Sequence, residues 1–454
     1  MTSTIKNLND KITTNLASVT CEKTIGQLAG AIDSLSNATI DCVASTACLP
    51  TAANNTGRFV GVGTSSALCY RYSNGIEWRC DYDSTSGVLA RQLWVMGQNN
   101  VGQLGTGNLT NYSSPVTTAG GGTTWCQVVP SQSVSIGAIK TDGTLWMWGC
   151  NAYGMLGTGN TTAYSSPVTT AGGGTTWCTA VIGGCHSAAI KTDGTLWTWG
   201  GNTYGQLGTG DNTCRSSPAT VIGGGTTWCQ VSASGEQYSA AIKTDGTLWT
   251  WGRNNSGGLM NGGSSTIYSP VTTAGGGTNW CQISTGNYHT IAIKTDGTLW
   301  VGGYNNAGQL GTGNLTNYSS PVTTVAGGTN WCQVSAGGLH STAIKTDGTL
   351  WTWGYNNSGE LGTGNTSYYS SPVTTAGGGT TWCKVSGGNA SDSSAIKTDG
   401  TLWAWGDNTY GQLGTGNTTA YSSPVTTVAG GTNWCQVSVA GARIFAIKQV
   451  YKGF

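Results

Sequence analysis

The sequence predicts an all-β protein, a closed seven-bladed β-propeller with a short N-terminal α-helical segment. Three observations predict it. A T-D-G turn returns at Asp142, Asp193, Asp245, Asp296, Asp347 and Asp399, a step of 51 or 52 residues. Twenty tryptophans are spaced through a chain that holds 74 glycines, which supplies the bulky apolar surface a core needs. The repeats also open and close on half-units.

Each unit reads W-C-x-V, a glycine-rich loop, A-I-K-T-D-G-T-L-W-x-W-G, a loop ending in L-G-T-G-N, and S-S-P-V-T. Asp-Gly between two apolar runs is a hairpin turn, because glycine takes the positive φ the turn requires. The tryptophans of L-W-T-W-G stand two apart and share one face of a strand. Proline recurs through Pro115, Pro167, Pro218, Pro270, Pro321, Pro372 and Pro424, near the start of the fourth strand, where a missing N–H costs least. Four short strands make a small sheet that cannot bury both faces alone, and radial stacking of such sheets does so. The pattern L-W-x-x-G first occurs at Leu93–Gly97, and Trp-Cys last occurs at Trp434–Cys435. Joining these two halves completes a seventh sheet and leaves no open edge to aggregate.

The stretches "GGCHSAAIKTDGTLWTWGGNTYGQLG" (183–208) and "GGLHSTAIKTDGTLWTWGYNNSGELG" (337–362) resemble the repeat of the regulator of chromosome condensation family. The resemblance covers roughly residues 88–454 and implies a seven-bladed propeller. For function it implies a range, from guanine-nucleotide exchange factors to adaptors and inhibitors.

Ahead of the ring, Ile5, Leu8 and Ile12, then Ile25, Leu28, Ile32 and Leu35, follow helical spacing. Residues 1–50 are therefore expected to form a helical attachment segment, bound to copies of itself or to a docking protein. Residues 51–87 read as a β connector, with a hairpin around Asn74-Gly75. Residues 88–454 form the propeller. The opening "MTSTIKNLNDKITTNL" has no continuous apolar core and no apolar run spans a bilayer, so neither a secretory leader nor membrane insertion is expected.

Charged residues make up 8% of the chain and the net charge is +1, which offers no electrostatic footprint for nucleic acid. Seven of the 15 cysteines follow a repeat tryptophan (Cys126, Cys178, Cys229, Cys281, Cys332, Cys383, Cys435) and read as small buried hydrophobes. No zinc spacing occurs, and Cys69/Cys80 and Cys42/Cys48 are close enough to pair only under oxidising conditions. The three histidines, His186, His289 and His340, occupy one repeat position, where other units place Ser135, Tyr238, Asp392 and Arg443. Such positions are spread around a ring, so packing explains them better than a metal. The repeated Asp is a turn residue, and L-G-T-G-N lacks the lysine of a phosphate loop. No catalytic residue, metal or cofactor is expected.

Within this one chain the framework is nearly letter-identical while two loops vary, one after W-C-x-V and one after W-x-W-G. Tyr238, Tyr288, Arg253, Tyr304 and Tyr355 in or beside these loops are the candidate binding residues, since tyrosine joins a stacking face to a hydroxyl. The expected function is a non-enzymatic structural or interaction protein that presents these loops to a host-surface protein, a glycan or a neighbouring protein. The opening 34 or so residues resemble leaders of bacteriophage structural proteins, which points to a virion or tail-associated location. The alternatives are an exchange factor or adaptor for a small GTPase, located in the cytoplasm, and a carbohydrate-binding propeller.

Overall fold

The computed structural model describes residues 59–62, 69–73, 78–82 and 90–450, apart from 121, 130 and 390. The expected helical segment and the Cys42/Cys48 pair lie outside the described residues, as do the side chains of Cys69 and Cys80. Strands Phe59–Val62, Cys69–Ser73 and Trp78–Tyr82 form an antiparallel meander, the last two flanking the expected Asn-Gly turn.

From residue 90 onward the described chain forms seven four-stranded sheets. Blades one to six span 125–169, 177–220, 228–272, 280–323, 331–374 and 382–426, each with its strands in chain order. The closing blade joins both ends of the ring: Trp434–Val439, Arg443–Val450, Ala90–Gly97 and Tyr112–Thr117. Its two middle strands pair over eight positions, from Arg443 opposite Gly97 to Val450 opposite Ala90. In blade two the same pairing covers five, from His186–Gly200 to Ile190–Leu196.

The first strands of successive blades lie against one another right around the ring and so surround its axis. They belong to different sheets, so side chains link them. Gln230 in blade three accepts from the Ile283 N–H (2.9 Å) and donates to the Cys281 carbonyl (3.2 Å). Gln436 does the same between the closing blade and blade one, through Val128 and Cys126.

The T-D-G turn forms as the sequence predicts. Gly143 adopts φ +77°, and Asp142 Oδ1 accepts from the Thr144 N–H (2.9 Å) and hydroxyl (2.6 Å). The Thr144 hydroxyl in turn accepts from Trp146 Nε1 at 2.8 Å, tying the turn to the core. Beneath each turn three groups converge. Lys191 lies opposite Trp177 in register, and its ammonium sits 4.8 Å from the Trp177 ring and 4.4 Å from Trp197.

The Trp-Cys cysteines depart from expectation. Cys332 is buried, Cys229 is exposed, and the other five are half-buried. The register slips at each of these sites (Trp177 faces Lys191 but Thr179 faces Ile190), so the cysteine is the extra residue of a β-bulge. The bulge leaves the cysteine at the margin of the core, where Cys126, Cys178, Cys281, Cys383 and Cys435 pack against core residues and Cys332 joins them, while the tryptophan stays buried.

Neighbouring blades interlock through a glycine and a tryptophan. A Cβ at Gly105, Gly157, Gly208, Gly311 or Gly362 would collide with the indole of Trp148, Trp199, Trp251, Trp353 or Trp405 in the next blade. The junction of blades three and four breaks the pattern at both partners. Met260 replaces the glycine, at φ +51°, and Gly302 replaces the tryptophan, leaving the room that Met260 fills. Met260→Gly is expected to cost about 2–5 kcal/mol by opening a cavity. Gly302→Trp alone forces overpacking, whereas the double variant rebuilds the common pair and exceeds both singles in stability. Urea unfolding measures this, and strictly additive effects would show that the two positions are not coupled.

A second interblade link uses the histidines. His186 Nε2 bonds Ser239 Oγ of the next blade at 2.8 Å; His289 pairs with Ser341 and His340 with Ser393, each at 3.0 Å. All three rings are buried, and burial lowers His186 and His289 to about 3 and His340 to about 4. The repeat histidines are therefore packing groups, as their shared position suggests. The closing blade lacks this link on both sides, because Ile444 and Ile136 stand where the serines would be. There the histidine position holds buried Asp392, pushed well above the carboxylate range by burial, and buried Arg443, lowered to about 10.

Candidate interaction surface

The first and third strands of a blade run the same way, so the loops that follow them emerge at one end of the ring. These are the two variable loops, while the invariant T-D-G turns occupy the opposite end. Each outer loop is held by a buried asparagine that follows the third strand. Asn202 Oδ1 accepts from the Leu207 N–H (2.9 Å) and its Nδ2 donates to the Asp211 carbonyl (3.0 Å). The repeated Asn-x-Thr triplets serve turns, as Asn160 shows by accepting from the Thr162 N–H at 2.9 Å.

Three of the expected residues come together. Arg253 Nη1 pairs with Glu236 Oε2 at 2.9 Å, and its guanidinium lies 5.0 Å from the ring of Tyr204 in blade two. Tyr288 of blade four lines the same shallow cleft, and its phenol is raised by burial and by Glu236. The Tyr288 and Tyr304 rings lie 5.7 Å apart. A half-exposed band of Tyr204, Arg253, Glu236, Tyr288 and Tyr304 thus crosses blades two to four. Tyr355 belongs to blade five, its ring 4.8 Å from that of Tyr368 and tilted to it by 48°.

Tyr238 is a correction. It is 2% exposed, and its hydroxyl donates to the His289 carbonyl at 2.7 Å. It takes the place of a repeat histidine and bridges blades three and four, with burial raising its phenol above the ordinary value. It forms the floor of the cleft and offers nothing to a ligand. Glu236 and Tyr204 were missed, although a carboxylate in a variable loop stands out where only 8% of residues are charged. Among the described residues, no three His, Cys, Asp or Glu side chains are placed to hold a metal ion.

A closed ring of seven near-identical sheets with its variation gathered at one end defines a repeat propeller. The chain belongs to the RCC1-like domain family, whose model matches residues 92–446 and so takes in both halves of the closing blade. The "Ultraviolet-B receptor UVR8" of Arabidopsis thaliana is 29% identical over 336 residues, covering 73% of this chain and 76% of the relative. The mitochondrial RCC1 domain-containing protein RUG3 of the same plant is 28% identical over 366 residues, covering 73% and 81%. Among solved structures, Prp20p from Saccharomyces cerevisiae, described with its binding properties to Gsp1p and histones, superposes with a TM-score of 0.70. That match has 17% identity and covers 81% of this chain and 93% of Prp20p.

Proposed function

We propose that this chain is a non-enzymatic protein-binding propeller that engages its partner through the variable end, on the band formed by Tyr204, Arg253, Glu236, Tyr288 and Tyr304. The observation that carries this reading is the contrast between the two ends. Framework and turns repeat almost unchanged, while the side chains that differ from blade to blade, Arg253, Glu236 and Tyr288 among them, stand in the loops at one end. Arg and Tyr are the residue types that most often anchor protein interfaces. The likeness to Prp20p supports a protein partner, with an adaptor or small-GTPase role ahead of a glycan. The relatives named above lend no support to the virion reading.

The test places a photo-crosslinking residue at 288 or 304, with a control in a T-D-G turn at the opposite end, and then measures affinity for the captured protein. Tyr288→Ala and Tyr304→Ala are each expected to weaken binding by about 1–2 kcal/mol with an unchanged melting temperature. A ring carrying blade five's loops in every blade is expected to lose binding. Full affinity in that uniform ring would show that the loops do not recognise the partner.

A further inference from the structure

Three side-chain links recur between neighbouring blades, and the seam between blade six and the closing blade lacks all of them. The first is the glutamine of the first strand. Gln282 and Gln333 accept from the Val334 and Val385 N–H of the next blade at 3.0 and 3.1 Å. Lys384 holds that position in blade six, and an ammonium cannot accept the corresponding Val437 N–H. The second link joins the repeat histidine to a serine whose hydroxyl also donates to the preceding blade's outer loop, as Ser393 does to the Glu360 carbonyl at 2.9 Å. Asp392 and Ile444 hold these positions at the seam, and Ile444 has no hydroxyl for either bond. The third is an indole N–H: Trp353 and Trp405 donate to the Gln309 and Glu360 carbonyls of the preceding blades, each at 2.8 Å. Met96 replaces that tryptophan in the closing blade and has no N–H to give. Gly414 still stands opposite, where a Cβ would strike Met96 Sδ. Among the described residues, every other seam keeps at least one of the three links.

Packing and a few backbone contacts hold this seam instead. Met96, Leu413, Val439 and Ile444 share one apolar cluster, and apolar burial is non-directional. The Gly416 N–H meets the Ser113 carbonyl at the outer rim (2.8 Å), and the Trp434 N–H meets the Gly400 carbonyl at the T-D-G end (3.0 Å). Toward the variable end the buried Asp392 carboxyl lies beside Gly388 and Val439, in the field of Glu360, Asp407 and Arg443. Parting the seam there gives a buried polar group access to water. The other side of the closing blade is better fastened. Gln436 makes both halves of its link to blade one, and Trp148 Nε1 donates to the Gln103 carbonyl at 3.1 Å.

We propose that the ring opens between blade six and the closing blade, parting at the axis and the variable end while the outer rim and the T-D-G end act as the hinge. The closing blade moves with blade one. The joint therefore lies beside the eight-position ladder that joins the ring's two ends, and the ladder stays intact.

One amide position tests this in the unaltered chain. The N–H groups of Ala336, Gly387 and Val439 each donate to a serine hydroxyl of the preceding blade, Ser284, Ser335 and Ser386, at 2.9, 3.0 and 3.0 Å. Hydrogen exchange is read by NMR and corrected for each residue's unfolded-chain rate. It is expected to run about tenfold faster at Val439 than at Ala336 and Gly387, the mark of a local opening below global unfolding. Lys384→Gln, Met96→Trp and the pair Asp392→His with Ile444→Ser restore the three links. Together they are expected to bring Val439 within about twofold of Ala336. Equal protection of the three amides in the unaltered chain would overturn the proposal, as would fast exchange at Val439 that survives the restored links. Should the restored chain fail to fold, Lys384→Gln alone decides it at a half-buried position: slower exchange at Val439 upholds the joint, and an unchanged rate refutes it.

Discussion

A chain ending at residue 433 is expected to lose its cooperative fold. The missing strands bury Trp434, Val439 and Ile444 against blade six, and Phe445 and Ile447 against blade one. Four of these residues, Val439, Ile444, Phe445 and Ile447, represent about 1.5–3 kcal/mol each of apolar burial. Their sum rivals the whole stability of a typical domain, about 5–15 kcal/mol. The deletion also leaves Ala90–Gly97 with an unpaired edge facing solvent. Aggregation, or a monomer without a sharp thermal transition, is the anticipated outcome, with rescue by a separately supplied peptide of residues 430–454. A soluble monomer melting like the full chain would refute the closed ring. Phe445→Ala, a milder form of the same experiment, is expected to cost about 3–5 kcal/mol.

Acid is expected to destabilise the ring from about pH 6.5 downward. His186, His289 and His340 are neutral when folded, held at about 3, 3 and 4, against about 6.5 in an unfolded chain. Below pH 6.5 the unfolded state therefore binds more protons than the folded one, and stability falls as pH falls. The slope is about 1.4 kcal/mol per pH unit for each imidazole, or about 4 for the three together, continuing toward pH 4. Asp392 works in the opposite sense, since its raised carboxyl takes up a proton more readily in the folded state. The turn aspartates, such as Asp193, lie below the usual value because Thr195 bonds the carboxylate, so their loss comes only at lower pH. Calorimetry from pH 7.5 to 4.5 measures the slope, and replacing all three histidines with glutamine is expected to flatten it. An unchanged melting temperature between pH 7.5 and 5 would mean that the rings titrate freely.

What was legible in the sequence is what repeats. The Asp-Gly turns, the four strands and the closure through Leu93–Gly97 and Trp434 all follow from local rules applied at a fixed period. The common end of the variable loops also follows, once strand direction is counted. Tyr238 shows the limit of reading loops by their variability, because its alignment with His186 already marked a buried position and the tyrosine simply bridges farther. The Arg253–Glu236–Tyr204 contact brings together two loops of one blade and a third from its neighbour, and spacing along the chain does not encode that meeting. The approach of Gln132 to Ala336 and Asn389 across the axis is less legible still, since it depends on how tightly seven sheets close about an axis. The bulges at the cysteines were hidden for another reason: an inserted residue leaves the repeat length unchanged when every copy carries it.

The closing blade also sets a schedule. The strand Ala90–Gly97 is among the first parts of the ring to be synthesised, and its partner Arg443–Val450 among the last. At about 5–20 residues per second, the roughly 350 residues between them take on the order of half a minute to emerge. Through that interval Ala90–Gly97 has only Tyr112–Thr117 to pair with and its other edge stays open, while the six later blades form from contiguous stretches of chain. Newly made chains thus hold a sticky strand open until translation is nearly done, and protecting that strand is a task for whatever shields the nascent chain.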